Sequence, residues 1–93
     1  MLKYIQGDKM FYVYILRCAD DSLYCGYTTD VEKRFEKHKS GKGAKYTKAH
    51  LPLEIAYVEE FDNKSDALKR EWEIKKLSRV KKEKLIENYP SNL

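Results

Sequence analysis

No apolar run in this chain of 93 residues approaches the roughly 20 residues that a helix needs to span a bilayer, so no membrane segment is expected. The first residues lack a basic start, an apolar stretch and a small-residue cleavage site, and therefore do not read as a secretion signal. Cysteine is scarce. Cys18 and Cys25 are the two present, too few for a disulfide framework. In the hairpin register argued below, Cys25 should face Leu16 or Arg17 and not Cys18, so both read as free thiols and a cytoplasmic location follows as an expectation. Internal repeats and low-complexity segments are absent as well. What remains is a single domain of a size that folds on one core. Its 42% hydrophobic and 37% charged residues fit a small soluble globule and not a disordered chain.

The net charge of +4 conceals a segregation. Residues 33–48 hold seven Lys or Arg against one acid, and residues 64–84 hold nine against four, whereas the rest of the chain holds three against ten. Basic stretches this distinct suggest a polyanion partner, most simply nucleic acid. Solvated helix faces would produce the same pattern, and a protein-interaction adaptor built on basic helices is a third reading.

The chain is organised around Phe11–Tyr27. Two runs rich in aromatic and β-branched residues, Phe11 to Cys18 and Leu23 to Thr28, flank the polar Asp20-Asp21-Ser22 and predict a β-hairpin. The first run is apolar at nearly every position, as in a strand covered on both faces. Gly26 interrupts the second, which suggests a bulge or the close approach of another group. Tyrosines at 12, 14, 24 and 27 are either satisfied within the core or aimed at a site. Tyr14 and Tyr24 share a face only if paired positions add to an even sum, which takes an odd-length turn or a bulge.

Thr29 as N-cap with Glu32 three residues on resembles a capping box, opening a helix that places Val31, Phe35 and His38 on one face with Arg34 beside them. It should stop near Ser40-Gly41, followed by a basic loop, Gly41 to Lys48, holding Tyr46. Pro52 opens a third strand through Phe61, read as alternating. Asn63 or Ser65 caps a helix over about 65–77, and Ser78 caps a last one through about Asn88, before Pro90. The fold class is therefore α+β, a three-stranded antiparallel sheet flanked by helices in the order ββαβαα. The domain covers 11–88, with tails at 1–10 and 89–93.

One carboxylate sits in the wrong place. At about 100° per residue, Glu71 falls about 40° from Ala67, inside the apolar arc of its helix. A carboxylate aimed at a core must be paired, protonated or coordinating a cation. An ion pair with Arg34 or Arg17 would satisfy it, as would a position at the rim.

Tyr12-Val13-Tyr14, then Tyr24-Cys25-Gly26, then Arg34, His38 and Glu71 together resemble the GIY-YIG nuclease superfamily over residues 11 to about 86, closest to its small stand-alone bacterial members. The resemblance implies a site on one face of the sheet, with Tyr14, Tyr24, Arg34 and His38 as catalytic residues. It also implies that Glu71 is the single protein ligand of one divalent ion, Mg²⁺ or Mn²⁺, whose other positions are water and phosphate oxygen. The chemistry is phosphodiester hydrolysis: the metal and Arg34 neutralise charge on the phosphoryl oxygens, Tyr14 positions water or phosphate, and Tyr24 is the general base. A free phenol, with a pKa of about 10, needs a nearby cation or a relay through His38 to act as a base. Tyr27, Lys42, Lys45, Tyr46, Lys48 and Lys75 are candidate nucleic-acid contacts; for the two tyrosines, stacking on a base and simple packing are both open. DNA is favoured over RNA, and a monomer is expected. Many members carry an Asn some twelve residues after the glutamate, where this chain has Lys81-Lys82-Glu83. With no appended recognition domain, basic segments position a strand without reading its sequence, so a DNA structure, an end or a single strand is the expected target. A non-catalytic nucleic-acid-binding module of the same fold is the alternative.

Overall fold

Strand β1 (Phe11–Cys18) is apolar throughout because it lies in the middle of the sheet. In the computed structural model, which describes residues 9–89, it is paired antiparallel with β2 (Leu23–Thr28) on one side and β3 (Pro52–Phe61) on the other, in the order β2-β1-β3. Helices α1 (Val31–Lys39) and α2 (Lys45–Ala49) separate β2 from β3, and α3 (Lys64–Lys75) and α4 (Arg79–Asn88) follow β3. Apart from Lys9, Met10 and Tyr89, the two expected tails lie outside the described residues. The α+β class and the sheet match the sequence reading. The order is ββααβαα, because α2 stands where a loop was expected.

The two faces of β1 carry different chemistry. Val13 and Ile15 point to one side, where they meet Cys25 of β2 and Ala67 and Ile74 of α3 in the main core. All five are buried, and Val13, Ile15, Ala67 and Ile74 expose nothing. Each fully buried Val or Ile contributes about 1.5–3 kcal/mol relative to exposure, so this face supplies most of the apolar stabilisation. Tyr14, Leu16 and Cys18 point to the other side, where their buried neighbours include the polar residues His38 and Thr47.

The hairpin register pairs Tyr14 with Gly26 and Leu16 with Tyr24, an even sum, so the two tyrosines share a face as the odd-length turn requires. The turn sits one residue earlier than expected. Cys18 N–H donates to Ser22 C=O (2.9 Å) and Asp21 N–H to Cys18 C=O (2.8 Å), leaving Ala19, Asp20 and Asp21 as the loop. Asp21 takes φ 70°, the left-handed conformation that Asp tolerates in such three-residue hairpins. Cys25 consequently faces Ile15, not Leu16 or Arg17, and both thiols are free.

Other local expectations shift in similar ways. β3 does not alternate strictly: Tyr57 pairs with Ile15 but Ile55 with Leu16, so Ala56 bulges and Ile55 changes face. Asp30, not Thr29, caps α1, its Oδ1 accepting from Lys33 N–H (3.1 Å), while Thr28 Oγ1 accepts from Asp30 N–H (3.2 Å). At the other end Gly41, at φ 82°, closes a Schellman motif in which Gly41 N–H donates to His38 C=O and Lys42 N–H to Lys37 C=O (3.1 and 3.0 Å). Asn63 and Ser78 cap α3 and α4. Arg17 clamps α4 to the sheet by donating twice to Glu83 (3.0 and 2.8 Å). That pairing holds the Glu83 carboxyl down at about 2.

Candidate functional site

Three buried side chains join β1, α1 and α2. The Tyr14 hydroxyl lies 2.8 Å from His38 Nε2, and His38 Nδ1 lies 2.8 Å from Thr47 Oγ1. Tyr14, His38 and Thr47 are 1%, 0% and 1% exposed, so each polar atom must find its partner inside the protein. The directions follow by elimination. Ala44 C=O can only accept, so the Thr47 hydroxyl, 3.0 Å away, donates to it. The hydrogen between Nδ1 and Oγ1 is then His38's own, and Nε2 accepts from the Tyr14 hydroxyl. The opposite tautomer would use the Ala44 N–H contact to Nδ1, which at 3.4 Å is the longest of the set; the shorter contacts decide.

Two glycines make room for this chain. A Cβ on Gly26 would stand 2.4 Å from Tyr14 Oη, and one on Gly43 would stand 2.3 Å from His38 Nδ1. Gly26 therefore marks a close approach and not a bulge, and what approaches is the phenol of its own cross-strand partner. Burial pushes the Tyr14 phenol up to about 12, against the pull of the neighbouring Arg34 guanidinium, which hydrogen-bonds and attracts the anionic form. Burial and the positive Arg34 hold His38 below its usual value, so the imidazole is neutral.

Arg34 is half-buried and reaches the outside through an open cleft lined by Thr28, Thr29, Asp30, Lys33, Arg34 and Lys37. It links the buried phenol to a basic surface. Tyr24, also half-buried, sets its ring edge-on to His38 with centroids 5.2 Å apart and near Tyr14 at 6.4 Å. His38 Nε2 is occupied by Tyr14 and Nδ1 by Thr47, so of the two aids a phenol base could use, the relay through His38 has no hydrogen-bonded path. Outward from Tyr24 the stack continues to Tyr46 (5.9 Å) and His50 (4.0 Å). His50 Nδ1 is 2.6 Å from Asp20 Oδ2 in the hairpin loop. Ser22 and then His50 hold the Asp20 carboxyl far below the usual carboxylate range.

The family follows from a sequence comparison. A model of the GIY-YIG catalytic domain matches residues 10–84. The chain belongs to the GIY-YIG family. Among its relatives, a UPF0213 protein of Staphylococcus saprophyticus is 60% identical over 75 residues, covering 81% of this chain and 92% of its own. One from Natronomonas pharaonis is 57% identical over 75 residues, covering 81% and 88%. A UPF0213 protein of Bacillus halodurans solved by solution NMR is 51% identical, with TM-score 0.55 over 84% of this chain and 83% of that one. A solution structure from E. faecalis is 38% identical, with TM-score 0.59 over 91% and 95%.

Within this GIY-YIG chain, Tyr14, Tyr24, Arg34 and His38 come together on one face. Glu71 lies on α3, whose Ala67 and Ile74 pack against Val13 and Ile15, and it makes no hydrogen bond or ion pair with those four residues. Its side chain is 20% exposed at the rim and pairs with Lys75 at 3.3 Å, not with Arg34 or Arg17. The Cys25 thiol rises to about 11 through burial and then the Glu71 charge. Tyr27, half-buried on the Val13 face, stacks on Phe11 (6.5 Å, 11°). Lys42, Lys45 and Lys48 are exposed, as is Tyr46 at 36%.

Thr47, Gly43, His50 and Asp20 were missed by the sequence reading. Tyr46 and His50 stand at i and i+4, a spacing that could have signalled α2. Nothing local marks Gly43 or Thr47, whose role depends on where His38 ends up.

Proposed function

We propose that the chain is a divalent-metal-dependent nuclease that hydrolyses phosphodiester bonds, acting on DNA and selecting structure over sequence. The observation that carries the reading is the place of Arg34, between the buried Tyr14 phenol and an open cleft that it shares with Lys33 and Lys37. A guanidinium so placed can meet a phosphate and neutralise charge developing on it. Tyr24, part-exposed on the same face, is the general base that takes the proton of the attacking water. Tyr14 and His38 are enclosed and act by position, holding Arg34 and Tyr24 in register with the cleft.

Glu71 fits a hard, hydrated cation. It offers one carboxylate at the rim, shared only with an exposed lysine, and no cluster of three or more metal-ligating side chains is present among the described residues. Such a lone oxygen donor suits Mg²⁺ or Mn²⁺ retaining most of its waters. When bound, the ion supplies Lewis-acid stabilisation of the phosphoryl oxygens.

A non-catalytic binding module remains the second reading, favoured by one observation. The position of the family asparagine falls in Lys81-Lys82-Glu83, and Glu83 is committed to Arg17 and Arg79. Mg²⁺- or Mn²⁺-dependent cleavage of labelled single-stranded, duplex and branched DNA, with Glu71→Ala alongside, separates the two. The nuclease reading expects cleavage that disappears in Glu71→Ala. Salt-sensitive binding without cleavage, unchanged by the substitution, would leave the binding module.

A further inference from the structure

Helix α3 carries a face that neither the core nor the proposed catalytic group uses. Trp72, the sole tryptophan of the chain, is 60% exposed, and Leu68 one turn earlier is 40% exposed. A large ring left in solvent on a polar surface marks a contact site. Lys76 places Nζ 3.6 Å from the Trp72 ring centroid. At about 100° per residue, Lys69 and Lys75 fall about 60° to either side of Trp72, while no acid of α3 falls within about 90° of it. The nearest acids are already engaged: Glu71 pairs with Lys75, and Glu73 with Arg70.

An exposed aromatic ring ringed by lysines offers π surface and positive charge together. A protein interface seldom combines them, since lysine is depleted there, whereas a nucleic-acid strand needs both, one for its bases and one for its phosphates. Duplex bases are already stacked and offer no free face, so the base must be unpaired. We propose that Trp72 is a stacking platform for an unpaired base, with Lys69, Lys75 and Lys76 meeting the adjoining phosphates. This rests on the nucleic-acid reading above and adds to it that the strand is single where it crosses α3, beside Glu71.

Because Trp72 is the sole tryptophan, its fluorescence reports on this surface alone. Unlabelled oligo(dT) is titrated into the full chain at low salt while the anisotropy of a labelled copy is followed in parallel, with a duplex of equal length as comparison. Quenching of Trp72 should saturate together with the anisotropy and be far weaker with the duplex. Trp72→Ala should weaken single-strand binding on the order of 10-fold, and Trp72→Phe, which keeps a ring, should retain most of it; circular dichroism confirms that both fold. Anisotropy that rises while Trp72 emission stays constant, or equal affinity in Trp72→Ala, overturns the platform and leaves nucleic-acid binding standing. Equal quenching by duplex overturns the unpaired base. No anisotropy change at low salt removes the platform and the nucleic-acid reading together.

Discussion

Gly26→Ala is the sharpest probe of the buried polar chain, because two readings of the glycine predict opposite signs. If Gly26 were merely a weak point in a strand, alanine would stabilise the protein by about 0.5–1 kcal/mol through a less flexible unfolded chain. The structure requires the reverse. The new Cβ would stand 2.4 Å from Tyr14 Oη, 2.6 Å from Cζ and 3.1 Å from Cε2, so the ring must withdraw by about 1 Å to reach ordinary van der Waals separation. Tyr14 is 1% exposed, so its ring moves only against the packed interior. Forcing a methyl into such packing costs about 1–3 kcal/mol. Breaking the 2.8 Å bond to His38 leaves a buried donor and acceptor unmatched, at about 1–3 kcal/mol more. Allowing for the favourable chain-entropy effect and for incomplete additivity, the net loss is about 2–4 kcal/mol, equivalent for a domain of this size to a fall in Tm of about 10–25 °C. Thermal unfolding followed by circular dichroism measures it. Gly26→Ala combined with Tyr14→Leu should cost clearly less than the sum of the two single substitutions, since the clashing atoms are gone. A Gly26→Ala variant as stable as the parent, or more so, would refute the close approach.

Three further outcomes follow from the same hydrogen-bonded chain. Thr47→Val removes the acceptor of His38 Nδ1–H while preserving shape; it should cost about 1–3 kcal/mol and, by ¹⁵N NMR, shift the His38 ring away from the Nδ1–H tautomer, whereas Thr47→Ser should leave both nearly as in the parent. Unfolded tyrosine titrates near 10 but Tyr14 near 12, so the unfolded state releases its proton first. Stability is therefore undisturbed by this group below pH 10 and is lost as pH rises from 10 to 12, by about 2–3 kcal/mol. On the acid side His38, held below its unfolded value of 6.5, resists protonation when folded, so stability declines as pH falls below 6.5. Denaturant unfolding across pH, compared with Tyr14→Phe, isolates the alkaline step; equal alkaline slopes in the two proteins would show that Tyr14 is not shifted.

Strand β1, the two tyrosine tripeptides, the cap Ser78, the cap of α3 as one of Asn63 and Ser65, and the stop at Gly41 could all be read along the chain, because each follows from local chemistry: period, turn preference, or a side chain satisfying its own helix end. Parity of register could be read as well, since one face shared by Tyr14 and Tyr24 demands an odd turn. What depended on folding was every partnership between distant residues. Gly26 is small because Tyr14 lies over it, Gly43 because His38 does, and Thr47 matters because it meets His38 from a stretch that read only as a basic loop. Glu71 shows the limit from the other side. Helical periodicity placed it on an apolar arc, yet only the packing of α3 decided that the arc ends at a part-exposed rim where Glu71 meets Lys75. Periodicity records the direction in which a side chain leaves its own element; the neighbours that element docks against determine what the side chain meets.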